Sequence, residues 1–187
     1  MQVENQALQK LCHQQQITDV LHRYCRGVDR MDQALVRSCY HQDATDEHGS
    51  FRGGVEDYLQ WCWKLLQRYD RTMHYLTNIL IDINDDFAQA ESYGFAVHEG
   101  APHFQERNLT VGFRFIDIFE HRDNHWKIIK RVATTEWAQI NSPESRFAIS
   151  PQLRRGRRDR DDAVYTAWGE NIDPQASKNL KPDKNNS

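Results

Sequence analysis

Four long segments of alternating apolar and polar character fill residues 74–140, and they restrict this chain more than any other feature. "HYLTNILIDI" (74–83) and "FAQAESYGFAVHEG" (87–100) flank the turn residues "NDD", while "NLTVGFRFIDIFEHR" (108–122) and "HWKIIKRVATTEWAQI" (125–140) flank "DN". β-Branched and aromatic residues at period two, bounded by Asn and Asp, predict antiparallel hairpins. The first third of the chain has helical spacing instead. Residues 5–31 form an amphipathic helix, interrupted late by Gly27, with Ile17, Val20, Leu21, Tyr24, Cys25 and Val28 on one face. Asp32 suits the N-cap of a short second helix carrying Ala34, Leu35, Val36 and Cys39. Residues 43–54 read as a short strand followed by a glycine-rich turn. A third helix is expected from Val55 to Tyr69, with Tyr58, Leu59, Trp61, Cys62, Leu65, Leu66 and Tyr69 inward. Helices first and strands after predict an α+β fold, with the helices on one face of a curved antiparallel sheet.

A length of 187 residues suits one domain over 1–140, with enough chain to bury a real core. From Asn141 the patterning dissolves. Residues 141–170 keep some apolar side chains and should pack on the domain or on a neighbouring subunit. Residues 171–187 have almost nothing to bury and are expected to be disordered. A net charge of −3 calls for neither nucleic acid nor an anionic membrane surface. The polar N-terminus lacks the apolar core of a signal peptide, and no apolar run is long enough to span a membrane. Cys12, Cys25, Cys39 and Cys62 form no C-x-x-C pair and read as reduced core residues of a cytoplasmic protein.

Asp29 lies four residues past Cys25 and eight past Leu21, so the apolar stripe carries a carboxylate. A buried carboxylate is costly unless paired and hydrogen-bonded. Two basic candidates stand out: His74 at the start of the first long strand and Arg131 in the last. His74, Leu76, Asn78 and Leu80 should share a face, as should Ile129, Arg131, Ala133, Thr135 and Trp137. If both faces line the concave side of the sheet, Asp29 meets His74 and Arg131 in one cavity. There a neutral histidine can act as general base, a carboxylate on its other nitrogen fixes the tautomer, and an arginine stabilises developing negative charge. Tyr24 would place a phenol at the cavity rim as proton donor. A structural Asp29–Arg131 ion pair is the alternative reading of the same spacing.

The segments "ITDVLHRYCRGVDRMD", "CYHQDATDEHGSFRGG", "TMHYLTNILIDINDDFAQAESY", "VGFRFIDIFEHRDNHWKIIKR" and "TTEW" resemble, in order, the SnoaL-like group of the nuclear-transport-factor-2-like superfamily. The resemblance implies a cone: three helices on a strongly curved mixed sheet, enclosing an apolar pocket. It is strongest to the branch of scytalone dehydratase, bile-acid dehydratase and hexachlorocyclohexane dehydrochlorinase. That branch implies a histidine base at His74 in "MHYLTN", an orienting aspartate at Asp29 in "GVDR", and an arginine at Arg131. Tyr24 stands where the dehydrochlorinase has a lysine, and Asp46 where it has a pocket tryptophan, so a more polar substrate than a chlorinated ring is implied. The pocket wall would comprise Asp46, Leu65, Tyr69, Asn78, Val111, Phe113 and Phe115, suited to a cyclic or aromatic small molecule. The implied activity is a cofactor-independent lyase, dehydration foremost. Isomerisation, or carbon–carbon cleavage with loss of a small aldehyde, would use the same base. A ligand-binding or assembly module, or a subunit like the small one of ring-hydroxylating dioxygenases, are the other classes. Relatives of this kind imply a homo-oligomer, dimer or trimer.

"RRGRRDR" (154–160) overlaps acidic residues and lacks interleaved aromatics, which favours a solvated segment or subunit contact over a nucleic-acid arm. Asp43, Asp46 and His48, or His121 with His125, have no recognised metal-ligand spacing. Glu136 should face outward.

Overall fold

The apolar stripe of the first helix is buried as its spacing requires: Ile17, Val20, Leu21, Tyr24 and Val28 are all at most 2% exposed. The structure, a computed structural model, describes residues 2–100, 108–142 and 148–166; the expectation of a disordered tail falls outside them. The elements run α1 (Gln2–Asp29), α2 (Gln33–Ser38), β1 (Tyr40–His48), β2 (Phe51–Gly54), α3 (Val55–Leu66), β3 (Tyr69–Asn84), β4 (Phe87–Gly100), β5 (Leu109–Arg122), β6 (His125–Ile140) and α4 (Ala163–Thr166). Six strands form one curved, unclosed sheet in the order β2-β1-β6-β5-β4-β3. The β1–β6 pairing is parallel and the others antiparallel, so the sheet is mixed, as the family resemblance implied and the segment order did not. Its concave face is covered by α1, α2 and α3.

Gly27 does not interrupt α1. A Cβ there would lie 2.6 Å from Val36 Cγ2, so the glycine lets α2 approach the first helix. Asp32 caps α2 by accepting from the Leu35 amide at 3.1 Å. The segment 43–54 makes two strands: part of β1, then β2, joined through Gly49 at φ +58. α3 stops at Leu66, and Tyr69 opens β3 instead of ending the helix. The β5–β6 loop is the two residues Asp123 and Asn124, both at positive φ, which matches the twist of a tight hairpin.

Irregular pairings overturn two face assignments. Leu76 pairs with Gly94 and Ile79 with Ser92, so β3 carries one extra residue between them. Thr72, His74 and Leu76 therefore point inward, but so do Ile79, Ile81 and Ile83, while Asn78 is exposed and Leu80 is 62% exposed. On β6 the extra residues are Ile129 and Glu136. Fully buried Ile128, not Ile129, precedes Arg131 on the inner face, and Trp137 lies half-exposed over the Gly112 backbone. The outer face of β3 and β4 is unusually apolar, with exposed Met73, Tyr75, Leu80, Tyr93, Phe95 and Val97, and with Tyr75 stacked on Phe95. No described helix is long and apolar enough to cross a membrane. Cys25, Cys39 and Cys62 are buried, but Cys12 is exposed, contrary to its expected core position.

Candidate active site

Asp29 is the last residue of α1, where the negative end of the helix dipole disfavours an anion. Three donors from β3 offset that. Thr72 Oγ1 donates to Oδ1 at 2.9 Å, the His74 amide donates to Oδ2 at 2.9 Å, and His74 Nδ1 lies 2.7 Å from Oδ1. Buried carboxylates persist when their lone pairs are filled in this way. An ionised carboxylate only accepts, so the proton of neutral His74 sits on Nδ1. Nε2 then keeps its lone pair, with no protein partner among the described residues.

The pair borders a cleft of about 360 Å³ lined by α1, β3 and the C-terminal segment, including His22, Cys25, Arg26, Asp29, Arg30, His74, Leu76, Asp162 and Val164. On its other side the His74 ring meets His98 edge-on at 5.5 Å and Phe113 at 6.1 Å. Phe113 packs on Phe115 at 4.5 Å, and Tyr69 on His98 at 4.9 Å. Of the sequence-derived site residues, His74, Asp29, Tyr69, Phe113 and Phe115 thus form one contiguous group. Val111 shares the inward parity of Phe113 on β5, and Leu65 is half-buried on α3. Asn78 is not part of the group, because the irregularity in β3 turns it to solvent.

Arg131 and Tyr24 adjoin this group through Phe115, but neither is hydrogen-bonded to Asp29 or His74. The Arg131 guanidinium is fully buried and forks onto Asp117, with Nε and Nη2 each 2.7 Å from a carboxylate oxygen. Its Cζ lies 4.2 Å from the Tyr24 ring centroid and 4.0 Å from that of Phe115. Tyr24 is 2% exposed and its hydroxyl is bonded to that of Tyr58, so it is an interior group and not a rim donor. Burial pushes the Tyr24, Tyr40 and Tyr58 hydroxyls well above the ordinary phenol range. Asp46, buried, accepts from Tyr40 Oη at 2.7 Å and lies 3.5 Å from His48 Nδ1. The ion pair of this interior is therefore Asp117–Arg131, and the expected meeting of Arg131 with Asp29 does not occur.

The "RRGRRDR" segment is largely exposed, as expected of a solvated segment, and it is also anchored to the domain. Arg30 donates to the Arg157 carbonyl at 2.8 Å and pairs with Asp162 at 3.1 Å; Arg71 donates to the Gly156 carbonyl at 3.1 Å. Arg160 and the Tyr165 hydroxyl both reach Asp32, at 3.1 and 2.9 Å. These contacts hold the C-terminal segment beside the Asp29–His74 pair. Among the possible metal sets, Asp43 forks with Arg122 and Asp46 is committed to Tyr40.

Sequence reasoning missed Thr72, His98, Asp117 and Arg158. Asp117 carried a signal: in "FRFIDIF" it has the inward parity of Phe113, Phe115 and Phe119, which required a basic partner. His98 is held down to about 4, by burial first and by the neighbouring His74 second. Its folded-state value is lowered, so its contribution to stability is present above about pH 6.5 and disappears as pH falls toward 4, where the unfolded chain binds the proton first. His98→Gln should flatten the loss of unfolding free energy between pH 7 and 4.5, by ~3 kcal/mol at most, in urea titrations at each pH.

A family model described as the SnoaL-like domain matches residues 9–132. No curated protein matches the chain. Among solved structures it is similar to the hexachlorocyclohexane dehydrochlorinase LinA, at 22% identity and a TM-score of 0.69, covering 77% of this chain and 99% of that one. LinA-type3 from Novosphingobium barchaimii is similar at 18% identity and TM-score 0.66, covering 78% of this chain and 99% of that one. A variant of Rv3472, a function-unknown protein from Mycobacterium tuberculosis, is similar at 18% identity and TM-score 0.57, covering 72% and 75% of the two chains. At these identities the likenesses establish the fold.

Proposed function

We propose that this chain, which belongs to the SnoaL-like domain family, is a cofactor-independent lyase that removes a proton from a cyclic or aromatic small molecule and expels a leaving group, most simply water. The observation that carries the reading is the Asp29–His74 geometry: a carboxylate fixed by three donors, 2.7 Å from Nδ1 of a histidine whose Nε2 is free. His74 takes the proton, and Asp29 holds its tautomer and stabilises the imidazolium that forms. The His98, Phe113 and Tyr69 rings beside His74 support a flat, apolar ligand. The same base would serve isomerisation. Dehydrochlorination is the named activity of similar folds and enters only as support for elimination chemistry. The apolar outer face of β3 and β4 supports a homo-oligomer, dimer or trimer, and the reading is of a cytoplasmic protein.

The test is thermal stabilisation of the full chain by a panel of hydroxylated cyclic and aromatic compounds, followed by turnover of each hit. His74→Ala should bind the hit with little change and lose turnover by about 10²–10⁴-fold, the worth of one positioned base. Equal binding by both proteins, with no product from either, would sink the lyase reading in favour of a binding module.

A further inference from the structure

Arg158 comes from a segment that sequence patterning did not place near the site. Its Nη1 donates to the Leu66 carbonyl at 3.0 Å and to the Tyr69 carbonyl, which wedges the guanidinium between the end of α3 and the start of β3. The Tyr69 ring packs on His98, and His98 meets His74, so the guanidinium stands next to the dyad's aromatic surroundings. Its charge acts on both Asp29 and His98.

The other edge of that guanidinium is the informative one. Nε and Nη2 are buried and neither has a hydrogen-bond partner among the described residues. These two nitrogens form one side of the guanidinium fork, with parallel N–H groups spaced for the two oxygens of a carboxylate. Leaving charged donors buried and unsatisfied is costly. At Arg131, by contrast, the same Nε and Nη2 edge is filled by Asp117. Arg158 has the fork and, among the described residues, no carboxylate on it.

We propose that Arg158 is a carboxylate receptor beside the dyad's aromatic neighbours, so that the ligand is a ring compound bearing a carboxylate, bound through the Nε and Nη2 edge. The inference rests on the proposed site in locating the ring against Tyr69, His98 and Phe113. It does not rest on His74 acting as a base. A phosphate or sulfate would accept from the same edge, but the planar two-donor match and the flanking rings favour an aromatic or alicyclic carboxylate.

The experiment is calorimetric titration of the full chain with sodium benzoate and with benzamide at constant ionic strength, with sodium sulfate as the ring-free oxyanion. Wild type should bind benzoate at least tenfold more tightly than either benzamide or sulfate. Arg158→Lys retains a charge and a carbonyl contact but not the fork, and should lose about tenfold or more in benzoate affinity while unfolding near the wild-type temperature. Arg158→Gln should remove the preference for benzoate over benzamide. His74→Ala should keep that preference, which separates this inference from the lyase reading: lost turnover without lost preference speaks only to the base. Benzamide or sulfate binding as well as benzoate, no benzoate binding by wild type, or an Arg158→Lys variant that binds benzoate like wild type would overturn the proposal.

Discussion

Asp29→Asn should lower kcat on any substrate of this site by about 10³–10⁴-fold while leaving KM within a few-fold. The carboxylate oxygens accept from Thr72, the His74 amide and His74 Nδ1 at once. An asparagine supplies one acceptor and one donor in the same volume. When its amide nitrogen faces Nδ1, the imidazole proton moves to Nε2, and the base is lost although the ring stays in place. When its oxygen faces Nδ1, the amide nitrogen is set against the His74 N–H. Neither arrangement stabilises the imidazolium with a full charge. Steady-state and single-turnover rates of wild type and variant make the comparison. A loss confined to KM would assign Asp29 to binding rather than to orienting the base.

Asp117→Asn should cost about 3–5 kcal/mol of unfolding free energy, a large share of the 5–15 kcal/mol typical of a domain. Arg131 is fully buried with Asp117 as its fork partner, and its remaining neighbours include the Tyr24 and Phe115 rings and a 3.4 Å contact to Tyr40 Oη. Arginine does not shed its proton, so the variant buries an uncompensated cation. Urea unfolding should show a lower midpoint with the slope retained, and the melting temperature should fall by about 10 °C. The double variant Asp117→Leu/Arg131→Met should recover most of the loss, because a buried pair can be exchanged for apolar groups of similar volume. A single-variant cost under about 1 kcal/mol would show that water reaches the pair. The same result would reopen Arg131 as a site residue.

The fold was legible where periodicity is uninterrupted. The stripe on α1, the Asp32 cap and the tight β5–β6 turn follow from local chemistry. The mixed sheet was not legible from local patterning, because the β1–β6 pairing joins residues some 85 apart. The family resemblance supplied it. The errors cluster at the extra residues of β3 and β6, where one inserted residue reverses every later face assignment. That is why Asn78 was expected in the pocket and is exposed. For the site, the Asp29 carboxylate on an apolar stripe was the strongest single clue, and it demanded a partner. It could not say which one: His74 and Arg131 were both open, and the second acid, Asp117, was overlooked within its aromatic run. Arg158 was visible only as one arginine of "RRGRRDR", and its place beside the site was not legible, since it depends on a segment without regular structure folding back onto Arg30, Asp32 and Arg71.

Nitrogen-15 chemical shifts of the imidazole rings, recorded on the full chain from pH 5 to 8 with His74→Gln for assignment, test the dyad most directly. The account predicts that neutral His74 is the Nδ1–H tautomer, with a pyridine-like shift at Nε2, and that Asp29→Asn reverses or mixes that tautomer wherever its amide nitrogen faces Nδ1. An Nε2–H tautomer in the wild-type protein would contradict it and leave His74 without the lone pair that the proposed chemistry requires.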